Sequence, residues 1–92
     1  MVTAIVMINC DINLIPEAAG QIAGIDGVSK VYSVTGDVDL IAVLALPQYD
    51  DLAGVVTESI AKVPGVRSMH THLAFRTYSA EELEQAFHLG LD

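Results

Sequence analysis

Positive charge is scarce in this chain: 4 lysines and arginines stand against 12 aspartates and glutamates, for a net charge of −8. Nucleic-acid affinity rests on Lys and Arg neutralising phosphates, so the composition argues against direct DNA or RNA binding. Cysteine is almost missing as well. The single Cys10 cannot form an internal disulfide, and a reducing, cytoplasmic setting is the expectation. Long apolar runs are absent: the longest, Leu40 to Leu46, falls far short of the roughly 20 residues a membrane span needs. No basic segment precedes an apolar stretch at the N-terminus, which speaks against a signal peptide. The chain also lacks a glycine-rich phosphate loop, a nucleophile beside a paired base and a convincing metal-ligand set. No cofactor, no metal and no catalytic residue are therefore expected.

What is abundant is apolar content. Of 92 residues, 52% are hydrophobic, and the mean hydropathy is +0.49. A single domain spanning 1–92 is near the lower size at which one core is comfortably stable, and its surface is large for its volume. Part of the apolar content must then reach a face, and a large exposed apolar face implies a partner. An oligomer is expected before any motif is read.

The organisation emerges from an internal echo. "IAGIDGVSKV" at 22–31 and "IAKVPGVRSM" at 60–69 share Ile-Ala-x-apolar-x-Gly-Val-x-x-apolar at an offset of 38 residues (60 − 22). In each copy a helical pattern runs into a glycine turn and then a strand, with Gly27 and Gly65 at the reversal that favours positive φ. The spacing predicts a first helix over Pro16 to Ile25, with Pro16 in its first turn. A second is predicted over Asp51 to Val63, where Leu52, Val55, Val56, Ile60 and Val63 recur at helical spacing and Asp50 or Asp51 caps the start. Ser79-Ala-Glu-Glu82 is a capping box that opens a short third helix at about 80–89, with Leu83, Ala86 and Phe87 as its apolar face.

Four strands complete the pattern: Val2 to Cys10, Val28 to Thr35, Val38 to Leu46 and Val66 to Tyr78. The order β-α-β-β-α-β-α predicts an α+β, ferredoxin-like βαββαβ sandwich with an extra C-terminal helix, its helices on one face of an antiparallel sheet. In the third strand Leu40, Ala42, Leu44 and Leu46 point one way and Ile41, Val43 and Ala45 the other. In the first strand Val2, Ala4, Val6 and Ile8 oppose Ile5 and Met7. Both sides of both strands are apolar, whereas a sheet with one wet face should alternate. A second copy packed sheet to sheet, giving a dimeric α+β barrel, is the expected cover. In the fourth strand Met69, Thr71, Leu73 and Phe75 are predicted to face the helices, with Ser68, His70, His72, Arg76 and Tyr78 opposite.

"VYSVTGDVDLIAVLAL" resembles the central hairpin of the Lrp/AsnC ligand-binding domain, the RAM domain, in which an apolar strand ends in a Thr/Ser-Gly turn and x-apolar-Asp-Leu opens the next strand. "SIAKVPGVRSMHTHLAFRTY" is similar to that domain's last helix and strand. The resemblance covers Val2 to roughly Tyr78. Full-length members begin with a helix-turn-helix DNA-binding domain, and nothing here precedes the first strand, so the likeness is to the stand-alone proteins. It implies a homodimer assembling further, commonly as four dimers in an octamer, with a small effector, usually an amino acid, held between dimers. It also implies a role in transcriptional regulation of amino-acid metabolism, with full-length Lrp/AsnC regulators as a further candidate partner.

The candidate ligand-binding residues are Gly36, Asp37, Val38 and Asp39, with Thr71. A zwitterion needs oxygens for its ammonium and N–H groups or hydroxyls for its carboxylate. Gly36 exposes backbone N–H groups, Asp37 and Asp39 supply carboxylates, and Thr71 adds a hydroxyl. Plainer readings stand beside these. Gly36-Asp37 also fits a two-residue hairpin loop, Asp39 a polar strand entrance, and Thr71 a hydroxyl bonded to core backbone. His70 and His72 share one strand face, yet no third ligand is evident, and packing at an interface rim is expected. His88 reads as solvent-exposed and Cys10 as a small apolar residue. Two alternatives remain. One is a small dimeric ferredoxin-like enzyme of the monooxygenase or isomerase type using His70, His72 and Asp39. The other is a purely structural partner of full-length regulators.

Overall fold

A computed structural model of the chain describes residues 1–81. Strand β1 (Val2–Cys10) is followed by a 3-10 turn at Ile12–Leu14 and helix α1 (Ile15–Ala23). Strands β2 (Val28–Ser33) and β3 (Leu40–Leu46) form the hairpin. Helix α2 (51–62) is α-helical at Asp51–Ala53, π-helical at Gly54–Ser59 and 3-10 at Ile60–Lys62. Strand β4 (Val66–Ala74) ends the sheet. The strands lie in the order β2-β3-β1-β4 and every pair is antiparallel. This is the ferredoxin-like arrangement the element order predicts.

Local chemistry explains the helices. Pro16 sits in the first turn of α1, where its missing N–H costs nothing. Asp51, rather than Asp50, secures the entrance to α2 by accepting the Gln48 N–H at 3.2 Å. The π segment coincides with the Thr57 hydroxyl donating back to the Ala53 carbonyl at 2.5 Å, a bond that competes with the helix's own ladder. The third helix begins at Ala80 and Glu81; the rest of the expected span to 89, with Leu83, Ala86, Phe87 and His88, lies outside the described residues.

The internal echo is a true structural repeat. Gly27 and Gly65 have φ of 94° and 97°, and in each copy the following valine donates to the carbonyl three residues back, Val28 to Ile25 at 3.0 Å and Val66 to Val63 at 3.2 Å. Each copy also contains a β-bulge two residues beyond its glycine. On β2, Val28 faces Leu44 and Lys30 faces Val43, leaving Ser29 extra; on β4, Val66 faces Cys10 and Ser68 faces Asn9, leaving Arg67 extra.

The core lies between the helices and one face of the sheet. Ala4, Val6, Ile8 and Cys10 of β1 and Leu40, Ala42, Leu44 and Leu46 of β3 are buried against Ala18, Ile22, Ile60 and Val63. The opposite face carries Ile5 and Met7 on β1 with Ile41, Val43 and Ala45 on β3, all only partly covered. This is the two-sided apolar pattern read from the strands.

Three strand ends differ from expectation. Strand β4 stops at Ala74 rather than Tyr78, because Ala74 pairs with Thr3 and β1 has almost no chain left to offer beyond it. Phe75 therefore leaves the ladder and is 94% exposed instead of facing the helices, and Leu73 is 41% exposed. Strand β2 ends at Ser33 and β3 starts at Leu40, since Ser33–Leu40 is their last pair. The connection is thus a loop over 34–39, not a two-residue turn.

The turn glycine of the first repeat and the loop glycine can be compared directly. A Cβ on Gly27 would stand 2.5 Å from Leu46 Cδ2, whereas one on Gly36, at φ 120°, would meet nothing within 4 Å. Gly27→Ala adds overpacking to backbone strain and should cost about 2–4 kcal/mol, against about 1–2 kcal/mol of strain alone for Gly36→Ala. Urea unfolding midpoints of the two variants check the difference.

Candidate functional site

The 34–39 loop is built from bonds at its base. The Val34 N–H donates to the Asp39 carbonyl at 3.1 Å, and the Asp39 N–H donates to the Ile8 carbonyl of β1 at 3.0 Å. The Asp39 carboxylate reaches the same strand, its Oδ2 accepting the Cys10 N–H at 2.8 Å. A charge-assisted bond of this kind is among the stronger ones in a protein. Asp39 therefore ties the loop to the end of β1. Regular strand geometry starts only at Leu40, so the i, i+2 spacing of Asp37 and Asp39 does not set the two carboxylates on one side.

Above that base Thr35, Gly36 and Asp37 are exposed and Val38 is half-buried. The Asp37 carboxylate bonds to no described residue. The loop thus presents a glycine backbone in open space beside a free carboxylate, on a root held at both ends.

Thr71 lies elsewhere. It pairs with Val6 on β4, on the helix side of the sheet, and borders an apolar groove of about 350 Å³ with Tyr49, Leu52 and Val56 of the α2 region. Two strand spacings, roughly 10 Å, separate the β3 and β4 ladders. Within one chain Thr71 and the loop do not meet.

His70 and His72 stand on the open face, opposite Met7 and Ile5, and both are exposed. Among the described residues no group of three His, Cys, Asp or Glu side chains could hold a metal ion. At the far end of the molecule a wider hollow of about 830 Å³ runs between the Gly24–Gly27 turn and α2, and its rim carries Asp26, Asp50, Asp51 and Glu58. No single motif spans it, since its walls come from the turn after α1, the end of β3 and α2.

Cys10 is buried. Desolvation, and then the Asp39 carboxylate beside it, push its thiol above the ordinary range, so the thiolate is disfavoured. No helix among the described residues is long and apolar enough to cross a membrane.

Removing the carboxylate should loosen this end of the sheet. Asp39→Ala leaves the Cys10 N–H without its acceptor and is expected to lower stability by about 1–3 kcal/mol in urea titrations. The same variant should label faster at Cys10 with iodoacetamide, since it removes the charge opposing the thiolate and frees the loop above it.

The chain matches the profile of the Lrp/AsnC ligand binding domain over residues 3–83. It is 40% identical to the Thermus thermophilus protein TTHA0845, with a TM-score of 0.82, over 86% of this chain and 99% of that one. It is 28% identical to FFRP-DM1, with a TM-score of 0.77, over 82% of this chain and 100% of that one. The Neisseria meningitidis transcriptional regulator NMB0573, solved as a complex with L-Met, has a TM-score of 0.76 at 11% identity. That match spans 85% of this chain and 52% of the regulator, and shows the fold alone. No curated protein matches the chain. With a family profile that spans residues 3–83 of its 92, this chain belongs to the Lrp/AsnC ligand-binding domain family.

Proposed function

We propose that the chain is a self-associating regulatory domain that binds a small effector, an amino acid, at the 34–39 loop. The observation that carries this reading is the Asp39–Cys10 bond. It holds the loop rigidly at its root while leaving the Gly36 backbone and the Asp37 carboxylate turned to the outside. A preorganised loop loses little entropy when a ligand arrives.

A second copy covers the open face. Ile5, Met7, Ile41 and Val43 are already partly covered, and burying what remains of them contributes about 25 cal/mol per Å² of apolar surface toward sheet-to-sheet association. Gly36, Asp37, Val38 and Asp39 then meet the effector, and Thr71 joins them only from a different copy. Dimers assemble further on this account, up to an octamer. Effector binding shifts the assembly equilibrium by its differential affinity for the assembled state. The chain acts on transcription of amino-acid metabolism without touching DNA itself, through full-length Lrp/AsnC regulators that share its sheet face. The family's ligand-binding character and the methionine complex of a regulator with this fold support the reading.

A thermal-unfolding screen against the twenty amino acids at about 10 mM tests the effector. A ligand with a dissociation constant of about 100 μM stabilises the native state by about 2.7 kcal/mol, a shift of several degrees for a domain of this size. Asp37→Ala, which breaks no bond to a described residue, should remove the shift; a screen in which no amino acid moves the midpoint overturns the reading. Self-association has its own test. Val43→Asp places a charge in the centre of the open face and should convert the protein to monomers by light scattering, with its helix-side core intact.

A further inference from the structure

The loop supplies two carboxylates, Asp37 and Asp39, and no cation. The backbone N–H groups at Gly36 offer an amino acid's carboxylate neutral donors; a cation within reach holds it more strongly, and a chain of net charge −8 offers few. Lys30 sits within β2 opposite Val43, Lys62 in the last turn of α2, and Arg76 beyond the far end of β4. Arg67 is the cation that the sheet places at the loop end.

Its position is unusual in a specific way. Arg67 is the extra residue of the β4 bulge, across from the step between Asn9 and Cys10, and Cys10 is the residue whose N–H holds Asp39. A bulge redirects the side chain it carries out of the regular ladder. The matching bulge in the first half of the repeat carries Ser29, so the backbone device is common to both halves and the charge belongs only to the one beside the loop.

Arg67 is also held without being used up. Its Nη2 lies 3.8 Å from Asp11 Oδ2, with the arginine side chain 70% exposed. That separation exceeds a hydrogen bond, and an exposed pair of this kind contributes little stability. Asp11 is fixed independently: its Oδ1 accepts the Asn13 N–H at 2.9 Å and its own N–H donates to the Gly65 carbonyl at 2.7 Å. The guanidinium is therefore steered by a fixed carboxylate while its fork of donors stays open, and such a fork matches a carboxylate in a bidentate way.

From this we infer that Arg67 is the carboxylate-binding residue of the effector site and that Asp11 is its positioning residue. The effector's carboxylate rests on the guanidinium, and its ammonium points back across the end of β1 to the loop's free carboxylate at Asp37. The roughly 10 Å between the β3 and β4 ladders is covered by the arginine side chain and the amino-acid head group together. This assignment rests on the amino-acid reading of the loop.

The test compares each amino acid that is active in the thermal screen with the same molecule lacking its carboxylate, isopentylamine in the case of L-leucine. Titration calorimetry on the wild type should show the amino acid binding roughly 10-fold or more tightly than the amine, the size of one charge-assisted interaction. In Arg67→Met, and in Arg67→Gln as a second variant, the amino acid should fall to the affinity of the amine while the amine itself is unchanged. Arg67→Lys should keep part of the preference. Asp11→Asn, which retains an acceptor for the Asn13 N–H, should reduce it by less than Arg67→Met. If Arg67→Met keeps the wild-type preference, or loses amine and amino acid alike, the assignment is overturned and the amino-acid reading stands. If no amino acid binds the wild type, both fall.

Discussion

Strand β1 runs through the middle of the sheet and is apolar on both sides, while the two helices that pack on the sheet lie on one side only. Much else follows from that imbalance. On the helix side β1 and β3 contribute eight of the buried core residues, and the helices need only a few small or branched side chains, Ala18 and Ile22 among them, to seal it. On the other side Ile5 and Met7 meet Ile41, Val43 and Ala45, all only partly covered. In water that face is a standing cost, which the proposed association with a second copy would relieve. The demand for a partner is thus written into the strand that organises the monomer.

A repeat unit accounts for how the sheet is assembled around β1. Each half delivers a helix, a glycine in the left-handed region, a turn closed by the following valine, and a strand that starts with a bulge. Because the backbone problem is identical in both halves, the residues at the turn and the core are nearly interchangeable, and Ile22 and Ile60 are buried alike. The halves diverge where the backbone does not constrain them. At the bulge, one half has a serine and the other an arginine.

Cys10 is where these constraints meet. Its side chain is core, its N–H anchors the hairpin loop through Asp39, and its place in the ladder adjoins the bulge that carries Arg67. The next residue, Asp11, then begins the turn into α1. Loop, bulge and turn are consequently fixed to one point on the chain. The net charge of −8 makes a cation at this point chemically distinct, and Asp11 steers it from 3.8 Å without a hydrogen bond.

Much of this was legible in the residues alone. The apolar run within Val2–Cys10 defined that strand to the residue, the paired glycines located both reversals, and Ile41, Val43 and Ala45 announced an apolar second face. Those features depend on local periodicity and backbone preference, which each segment carries by itself. The strand ends were not legible, because a ladder stops where its partner stops: Phe75 has the right pattern for β4 but no β1 residue to pair with. The loop's length followed from the same rule. Thr71 was placed on the correct face of its strand, yet its distance from the loop depends on the strand order. Nor could spacing reveal that Asp39 would bond a backbone amide 29 residues away, or that Arg67 would fall on a bulge. Periodicity along each segment was enough to say which side chains face the core and that a second face would need covering. Which polar groups gather at the end of β1 was settled by the assembled sheet, since that requires three strands to meet in register.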